Sequence, residues 1–173
     1  QSGEVKHEGL PANESAFNIV RRYKIEKPEL SSFLRHPVYD YSKFRNLDRN
    51  VVPLECIVRF GITSGSSVFR KYLKLPDAQK RNFERELGSD GALQAWQYLA
   101  TPIVDFTSKY EPEDRAVTKQ EALNMSGLDA GGLNEMGKLA VLGGWAVRVL
   151  VEKMGLQLWD LKWEFARDGE DLV

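Results

Sequence analysis

The sequence predicts an α+β fold with a mostly antiparallel sheet and helices packed to one side. Two stretches have strand patterns: 51–60 is rich in β-branched and apolar residues, and 156–166 alternates apolar with charged residues. Two others have helix patterns, a charged segment over 77–87 and a longer, more apolar one over 133–154. Elements of these two kinds must bury their apolar faces against one another in layers around a core.

Length and composition indicate an ordinary globular protein. A chain of 173 residues suits one domain, or one compact unit with two lobes. Hydrophobic residues make up 42% and charged residues 28%, which is usual for such proteins. The formal net charge of −1 lacks the basic excess of a dedicated nucleic-acid binder, so we expect no nucleic-acid partner.

Three further classes of protein are disfavoured by simple counts. The most apolar run, 139–151, is shorter than the roughly 20 residues that cross a bilayer, and the N-terminus has no signal-peptide pattern, so we expect no membrane partner. The single cysteine, Cys56, excludes an internal disulfide and predicts an inert buried thiol in a reducing compartment, the cytoplasm. With only His7 and His36 there is no zinc constellation, so a metal would be bound by oxygen, which favours Mg²⁺ or Ca²⁺.

The stretch 51–72 is the most informative part of the chain. Alternate side chains of a strand share a face, so Glu55 and Arg59 point one way, and the other face holds Leu54, Cys56, Val58 and Phe60. Gly61 is expected to end the strand. Because Glu55 and Arg59 are about 13 Å apart along the strand, Arg59 needs another partner.

A loop rich in hydroxyl groups, Thr63–Ser67, follows this strand and precedes a basic helix. The N–H groups and the dipole at a helix start favour an anion, so a phosphate would suit both the loop and Arg59. The alternative is that Ser66 or Ser67 is only a helix N-cap and that Arg59 is a surface charge.

The middle of the chain predicts several smaller elements. A short helix over 93–99 is followed by a strand over 102–106 and a charged loop over 107–115 that contains Lys109 and Asp114. Asp77 is a candidate N-cap of the helix that ends near Gly88, and Thr118 with Glu121 forms a capping box.

In the long helix over 133–154, Gly143 and Gly144 would weaken the helix unless something packs closely there. One face of that helix is expected to be core: Met136, Leu139, Ala140, Val147, Leu150, Val151 and Met154.

The last predicted strand has two chemically distinct faces. One is apolar and should be core: Trp159, Leu161, Trp163 and Phe165. The other carries Asp160, Lys162 and Glu164, and is either a solvated surface or one wall of a cleft. Asp168 and Gly169 then predict a hairpin turn.

Three segments in this order, 55–72, 102–115 and 156–169, resemble the SAICAR synthase (phosphoribosylaminoimidazole-succinocarboxamide synthase) family. The likeness rests on ECIVRFGITSGSSVFRKY, on the Pro-Ile-x-Asp-Phe strand with its lysine loop, and on the Asp-x-Lys-x-Glu strand. Weaker likenesses occur near the N-terminus, in 2–6 and 15–18. Glu4, Phe60 and Tyr110 stand where the family commonly has other residues.

The resemblance implies a two-lobed fold with a nucleotide cleft between the lobes. Residues 1–50 would be a reduced or incompletely represented nucleotide-binding lobe, and 51–173 the larger substrate and metal lobe. By matching positions, it implies that Arg59 and Ser66 bind the substrate, Lys6 the nucleotide and Glu164 the metal, with catalytic roles for Lys109, Asp114 and Lys162.

The implied activity is an ATP-dependent ligation in purine biosynthesis, in which L-aspartate is joined to the carboxylate of carboxyaminoimidazole ribotide through an acyl phosphate. ATP and Mg²⁺ are the implied cofactors, and the partners are these small molecules; a homo-oligomer is left open. Two alternatives remain: a non-catalytic relative that binds a ribotide or nucleotide, and a related ligase that uses a different amine.

Overall fold

A computed structural model describes residues 22–173 and shows an α+β fold. Its main sheet has five antiparallel strands in the order β5-β4-β3-β6-β7, and a separate hairpin is formed by β1 and β2. The strands are β1 (Glu29–Phe33), β2 (His36–Asp40), β3 (Arg49–Ile62), β4 (Gln97–Ser108), β5 (Ala116–Val117), β6 (Asp160–Asp168) and β7 (Asp171–Leu172). The helices are α1 (Ser67–Lys74), α2 (Asp77–Glu86), α3 (Lys119–Ser126) and α4 (Ala130–Lys153), with a 3-10 helix over Ser42–Asn46. The predicted fold class is therefore confirmed.

The long strand β3 is the centre of the sheet and pairs with β4 on one side and β6 on the other. It continues past its predicted end to Ile62 through a bulge between Arg59 and Gly61. At this bulge the N–H groups of Phe60 and Gly61 both donate to the carbonyl oxygen of Trp159, at 2.8 and 3.1 Å. Beyond this irregularity Gly61 and Ile62 pair with Tyr98 and Gln97 of β4, so Gly61 does not end the strand and that prediction is wrong.

The apolar face of β3 packs against α3 and α4 and forms the main core. Its members are almost fully buried: Leu54, Cys56, Val58 and Phe60 from β3, Ala122 and Met125 from α3, and Leu133, Met136 and Ala140 from α4. The 3-10 helix also contributes Phe44. Burial raises the pKa of the Cys56 thiol to about 12, so this cysteine is protonated and inert near neutral pH, as expected.

The paired glycines of α4 allow the helix to approach the sheet closely, as the prediction required. A Cβ atom on Gly143 would lie 2.8 Å from the Trp163 ring, and one on Gly144 would lie 3.1 Å from Phe60. Helical glycine is unfavourable by itself, and here the close contact with two aromatic rings offsets that cost.

Gly143→Ala is expected to destabilise the protein. Overpacking against Trp163 costs about 1–3 kcal/mol, which exceeds the gain of about 1 kcal/mol in helix propensity. Gly137→Ala is the matched control in the same helix, because its Cβ would meet only Val104 Cγ1 at an ordinary 3.7 Å. Urea unfolding should show a loss of stability for Gly143→Ala and none for Gly137→Ala. Equal stability of the two variants would contradict this packing argument.

Two further local predictions are wrong. Residues 93–99 are not helical: β4 begins at Gln97, because Gln97 and Tyr98 pair with the end of β3 and this pairing overrides the local pattern. Asp77 is not the N-cap of α2 but its first residue, after Pro76, and it pairs with Lys80 at 2.8 Å. The capping box of Thr118 and Glu121 is confirmed, and α3 ends at Gly127, which adopts the left-handed conformation.

The predicted core face of α4 is only partly correct. Met136 and Ala140 are fully buried, whereas Leu150 and Met154 are 60% and 66% exposed. Fully buried positions stop at Gly144, so the remainder of α4 extends past the surface on which its first half packs. Across 22–173, no helix has the length and apolar character needed to cross a membrane.

The predicted boundary between the two lobes, at residue 50, falls inside β3. Tyr41 and Phe44, which precede this boundary, pack into the main core. The weak N-terminal likenesses and Lys6 lie outside the described residues. The two-lobed organisation stays a prediction.

Candidate active site

The face of the sheet opposite the core is densely charged, and we call it the polar sheet face. Strands β4, β3 and β6 each contribute alternate residues to it, in three cross-strand rows. The rows are Thr107–Glu55–Glu164, Asp105–Ile57–Lys162 and Ile103–Arg59–Asp160. Arg59 and the charged side of the last long strand therefore share one face, as the sequence predicted.

Arg59 is buried and its guanidinium is held by two carboxylates. Its Nε and Nη1 atoms donate to Asp105 Oδ2 and Asp160 Oδ2, both at 2.9 Å. Its Nη2 atom donates to Ser67 Oγ at 3.1 Å. Arg59 is thus not a surface charge, and the partner that it needed is supplied by the protein itself.

The first turn of α1 adjoins Arg59. Ser66 is the N-cap of this helix, because its Oγ accepts a hydrogen bond from the N–H of Val68 at 3.2 Å. The N-cap interpretation is therefore confirmed for Ser66, which is 6% exposed, and this bond does not use its hydroxyl proton. Ser66, Ser67 and the Arg59 guanidinium form one donor-rich corner of the polar sheet face.

Lys162 lies between two carboxylates at the centre of this face. Its Nζ atom is 2.6 Å from Glu55 Oε2 and 2.8 Å from Asp114 Oδ2, and Glu55 also accepts from Thr107 Oγ1 at 3.0 Å. Hydrogen bonds to Asp114 and then Glu55 raise the pKa of Lys162 above its ordinary value. The ammonium therefore stays charged near neutral pH, which argues against general-base catalysis by Lys162, and its charge is shared with two carboxylates.

Lys109 and Glu164 form a further ion pair beside this cluster. The structure thus brings four of the predicted site residues together, Lys109, Asp114, Lys162 and Glu164, and places Arg59 and Ser66 at the α1 end of the same face. Three contributors were not assigned roles from the sequence: Glu55, Asp105 and Asp160. Strand alternation places each on a face, but their contacts depend on which strands are neighbours.

The donor chemistry of this face fits a magnesium ion only in a limited way. Among residues 22–173, no group of three His, Cys, Asp or Glu side chains is arranged to hold a metal ion. The Glu164 carboxylate is 55% exposed, however, and Mg²⁺ is commonly held by one or two carboxylates while water and phosphate oxygens complete its shell. Glu164 suits that mode, and an all-protein metal cage is not present in this part of the chain.

Two departures from the family pattern have different structural consequences. Phe60 lies on the core face and packs edge-on against Trp145 at a centroid distance of 5.2 Å, so it leaves the polar sheet face unchanged. Tyr110 lies beside the candidate site: its hydroxyl is buried without a hydrogen-bond partner, and burial followed by the charge of Glu164 raises its pKa.

Fold and site together define an α+β domain with a cluster of paired titratable groups on one sheet face, and such clusters mark candidate functional sites. The family model of SAICAR synthetase matches residues 13–173. A protein of Archaeoglobus fulgidus, provisionally named phosphoribosylaminoimidazole-succinocarboxamide synthase, is 36% identical over 132 residues. The chain belongs to the SAICAR synthetase family.

Solved structures of this family share the fold. A SAICAR synthetase (Type-2) in complex with ADP superimposes with a TM-score of 0.52 at 23% identity, covering 71% of this chain and 44% of its own. The Type-1 crystal structure of SAICAR synthetase from Pyrococcus horikoshii OT3 gives 0.51 at 23% identity, covering 71% and 45%. The alignment with the Archaeoglobus protein covers 76% of this chain and 38% of that relative. The chain therefore spans less than half the length of these relatives.

Proposed function

We propose that this protein acts as a SAICAR synthase, joining L-aspartate to the carboxylate of carboxyaminoimidazole ribotide with ATP. Family membership supports the reaction class, and the ADP complex of a relative supports nucleotide binding. The observation that carries the proposal is that Arg59 and the Asp160-Lys162-Glu164 strand face the same side of one sheet.

The reaction requires activation because a carboxylate repels nucleophiles and oxide is a poor leaving group. A carboxylate oxygen of the ribotide attacks the γ-phosphorus of ATP, ADP leaves, and an acyl phosphate forms. The aspartate amine then attacks the acyl carbon, loses a proton, and inorganic phosphate leaves. The protein contributes mainly positioning and electrostatic stabilisation.

Two lysines are suited to offset the charge of the transferred phosphoryl group. Lys162 stays protonated, and Asp114 with Glu55 holds its ammonium over the centre of the face. Lys109 is paired with Glu164, whose side chain is 55% exposed while that of Lys109 is 14% exposed, so a phosphate could replace this carboxylate as the partner of the lysine. Glu164 would hold Mg²⁺, which when bound supplies neutralisation of the polyphosphate charge. Lys6 remains the predicted nucleotide contact.

Arg59 and Ser66 would bind the phosphate of the ribotide. Three of the five guanidinium N–H groups are engaged by protein atoms, which leaves two for a ligand. The Ser66 hydroxyl and the first turn of α1 provide further donors at the same corner.

Arg59→Lys is expected to weaken ribotide binding by about tenfold or more, because an ammonium keeps the charge but loses the planar fork. ATP binding should be unchanged. Calorimetric titration with each ligand measures both affinities. Arg81→Lys, on the exposed surface of α2, is the matched control and should bind like the original protein. Unchanged ribotide affinity in Arg59→Lys would remove Arg59 from the substrate site.

The alternative function is a binding module that lacks catalysis. It is favoured by Tyr110, which stands next to the catalytic candidates in place of the residue usual in the family. The two functions separate when the protein is mixed with ATP, Mg²⁺, carboxyaminoimidazole ribotide and aspartate. Formation of the succinocarboxamide and ADP supports the synthase, and tight ribotide binding without product selects the module. Product with a different amine only would select a related ligase.

A further inference from the structure

The Arg59 guanidinium is held from both sides of its own strand. Asp105 comes from β4 and lies diagonally across from Arg59, in the row of Ile57. Asp160 comes from β6 and is the direct cross-strand neighbour of Arg59. Ser67 of α1 meets the third nitrogen. Three separate elements therefore fix one side chain.

Neutralisation does not explain two carboxylates on one cation. One carboxylate would balance the charge of the guanidinium. The second gives the three side chains together a net charge of −1, which opposes the binding of an anion. The pairs are also partly open to water, since the side chains of Asp105 and Asp160 are 38% and 45% exposed. The side chain of Arg59 is itself only 8% exposed, so one carboxylate is needed to compensate its buried charge, and a second, partly hydrated carboxylate adds little to fold stability.

A geometric role accounts for both carboxylates. The arginine side chain is long and flexible, but its donors form a rigid planar fork. When Nε, Nη1 and Nη2 each have a fixed acceptor, the orientation of that plane is set, and so are the directions of the two N–H bonds that remain. The contact of Nη2 with Ser67 brings the guanidinium to the first turn of α1.

We propose that Asp105 and Asp160 are positioning residues that orient Arg59 toward the phosphate of the ribotide at the first turn of α1. This inference rests on the proposed function, because the ribotide is the phosphate ligand assigned to that corner. The two aspartates do not contact the phosphate themselves and act only through the guanidinium.

Asp105→Ala and Asp160→Ala, which remove both the negative charge and the hydrogen-bond acceptor, test this role by the sign of their effect on ribotide affinity. If charge alone mattered, removing a negative charge near the phosphate would strengthen ribotide binding. If the aspartates orient Arg59, each substitution should instead weaken ribotide binding, by about tenfold, and leave ATP affinity unchanged. Calorimetric titration of the whole protein measures both affinities. Glu86→Gln on α2, an exposed carboxylate away from this cluster, is the charge-matched control.

A second measurement reports on Arg59 without any ligand. In ¹⁵N NMR spectra, the Nε–H of Arg59 should exchange slowly with water because it donates to Asp105. This protection should be lost in Asp105→Ala, which has no side-chain acceptor for Nε–H, and largely kept in Asp160→Ala, because Asp160 accepts from Nη1 instead. Protection that persists in Asp105→Ala would show that this aspartate does not hold the guanidinium.

The outcomes separate this inference from the proposed function. Unchanged or tighter ribotide binding by Asp105→Ala and Asp160→Ala, with weaker binding by Arg59→Lys, would overturn the positioning role and leave the synthase proposal intact. Absence of ribotide binding by the original protein would overturn the synthase proposal, and the positioning role with it.

Discussion

Glu164→Gln is expected to abolish turnover at ordinary magnesium concentrations while the fold stays intact. The carboxylate is the described group best suited to hold Mg²⁺, and a neutral amide is a much poorer ligand. Loss of the ion's charge stabilisation is worth several kcal/mol, so the rate should fall by about 100-fold or more. The fold should stay intact because the Glu164 side chain is 55% exposed, with some loss of stability because Lys109, 14% exposed, loses this carboxylate partner.

The rate at which the succinocarboxamide is formed measures the loss of activity. Circular dichroism of the same samples shows whether the fold is intact. Glu170→Gln is the control. Glu170 is exposed in the turn that follows β6, so this substitution makes the same chemical change outside the polar sheet face. Near-normal activity in Glu164→Gln would remove the metal assignment. Loss of secondary structure in that variant would show that the ion pair with Lys109 is structural.

Gly127→Ala is expected to cause the largest loss of stability. Gly127 has φ of +70°, in the left-handed region, which costs about 1–2 kcal/mol for a residue with a side chain. Its Cβ would also lie 2.5 Å from the carbonyl oxygen of Phe44 and 2.7 Å from Cα of Arg45, which are backbone atoms and cannot rotate away. Overpacking of this kind adds about 1–3 kcal/mol.

Gly155→Ala isolates the first of these two costs. Gly155 follows α4 with a similar φ of +76°, but a Cβ atom there would meet nothing within 4 Å. Urea denaturation should therefore place Gly127→Ala well below Gly155→Ala, and both below the original protein. If the two alanine variants unfold at the same urea concentration, the close approach between α3 and the 3-10 helix does not contribute to stability.

The faces of the strands could be predicted from the sequence because alternation is a local property. Leu54, Phe60 and Trp163 lie on the core side, and Arg59 and Lys162 lie on the polar sheet face, as expected. The same local reasoning fails where the partner decides the structure. Residues 93–99 form part of a strand only because the end of β3 is available for pairing.

Local sequence patterns also do not predict the contacts within the candidate site. Asp105 and Arg59 are 46 positions apart in the chain, and Asp160 and Arg59 are 101 apart. A pattern that identifies a lone arginine on a strand does not reveal whether its partner is a ligand or a carboxylate on a neighbouring strand. The exposed end of α4 was missed for a related reason, since an apolar helix face does not show how far its support extends.

The row pairing of β3 with β4 and β6 has a consequence for how this protein can change over time. Inserting or deleting one residue inside any of the three strands would turn its charged side chains inward and its aromatic ones outward beyond that point. Such a change would damage the interior and the ligand-facing surface at once. We therefore expect length variation among homologues to be confined to the connections, such as 109–115, and the three strands to vary only by substitution.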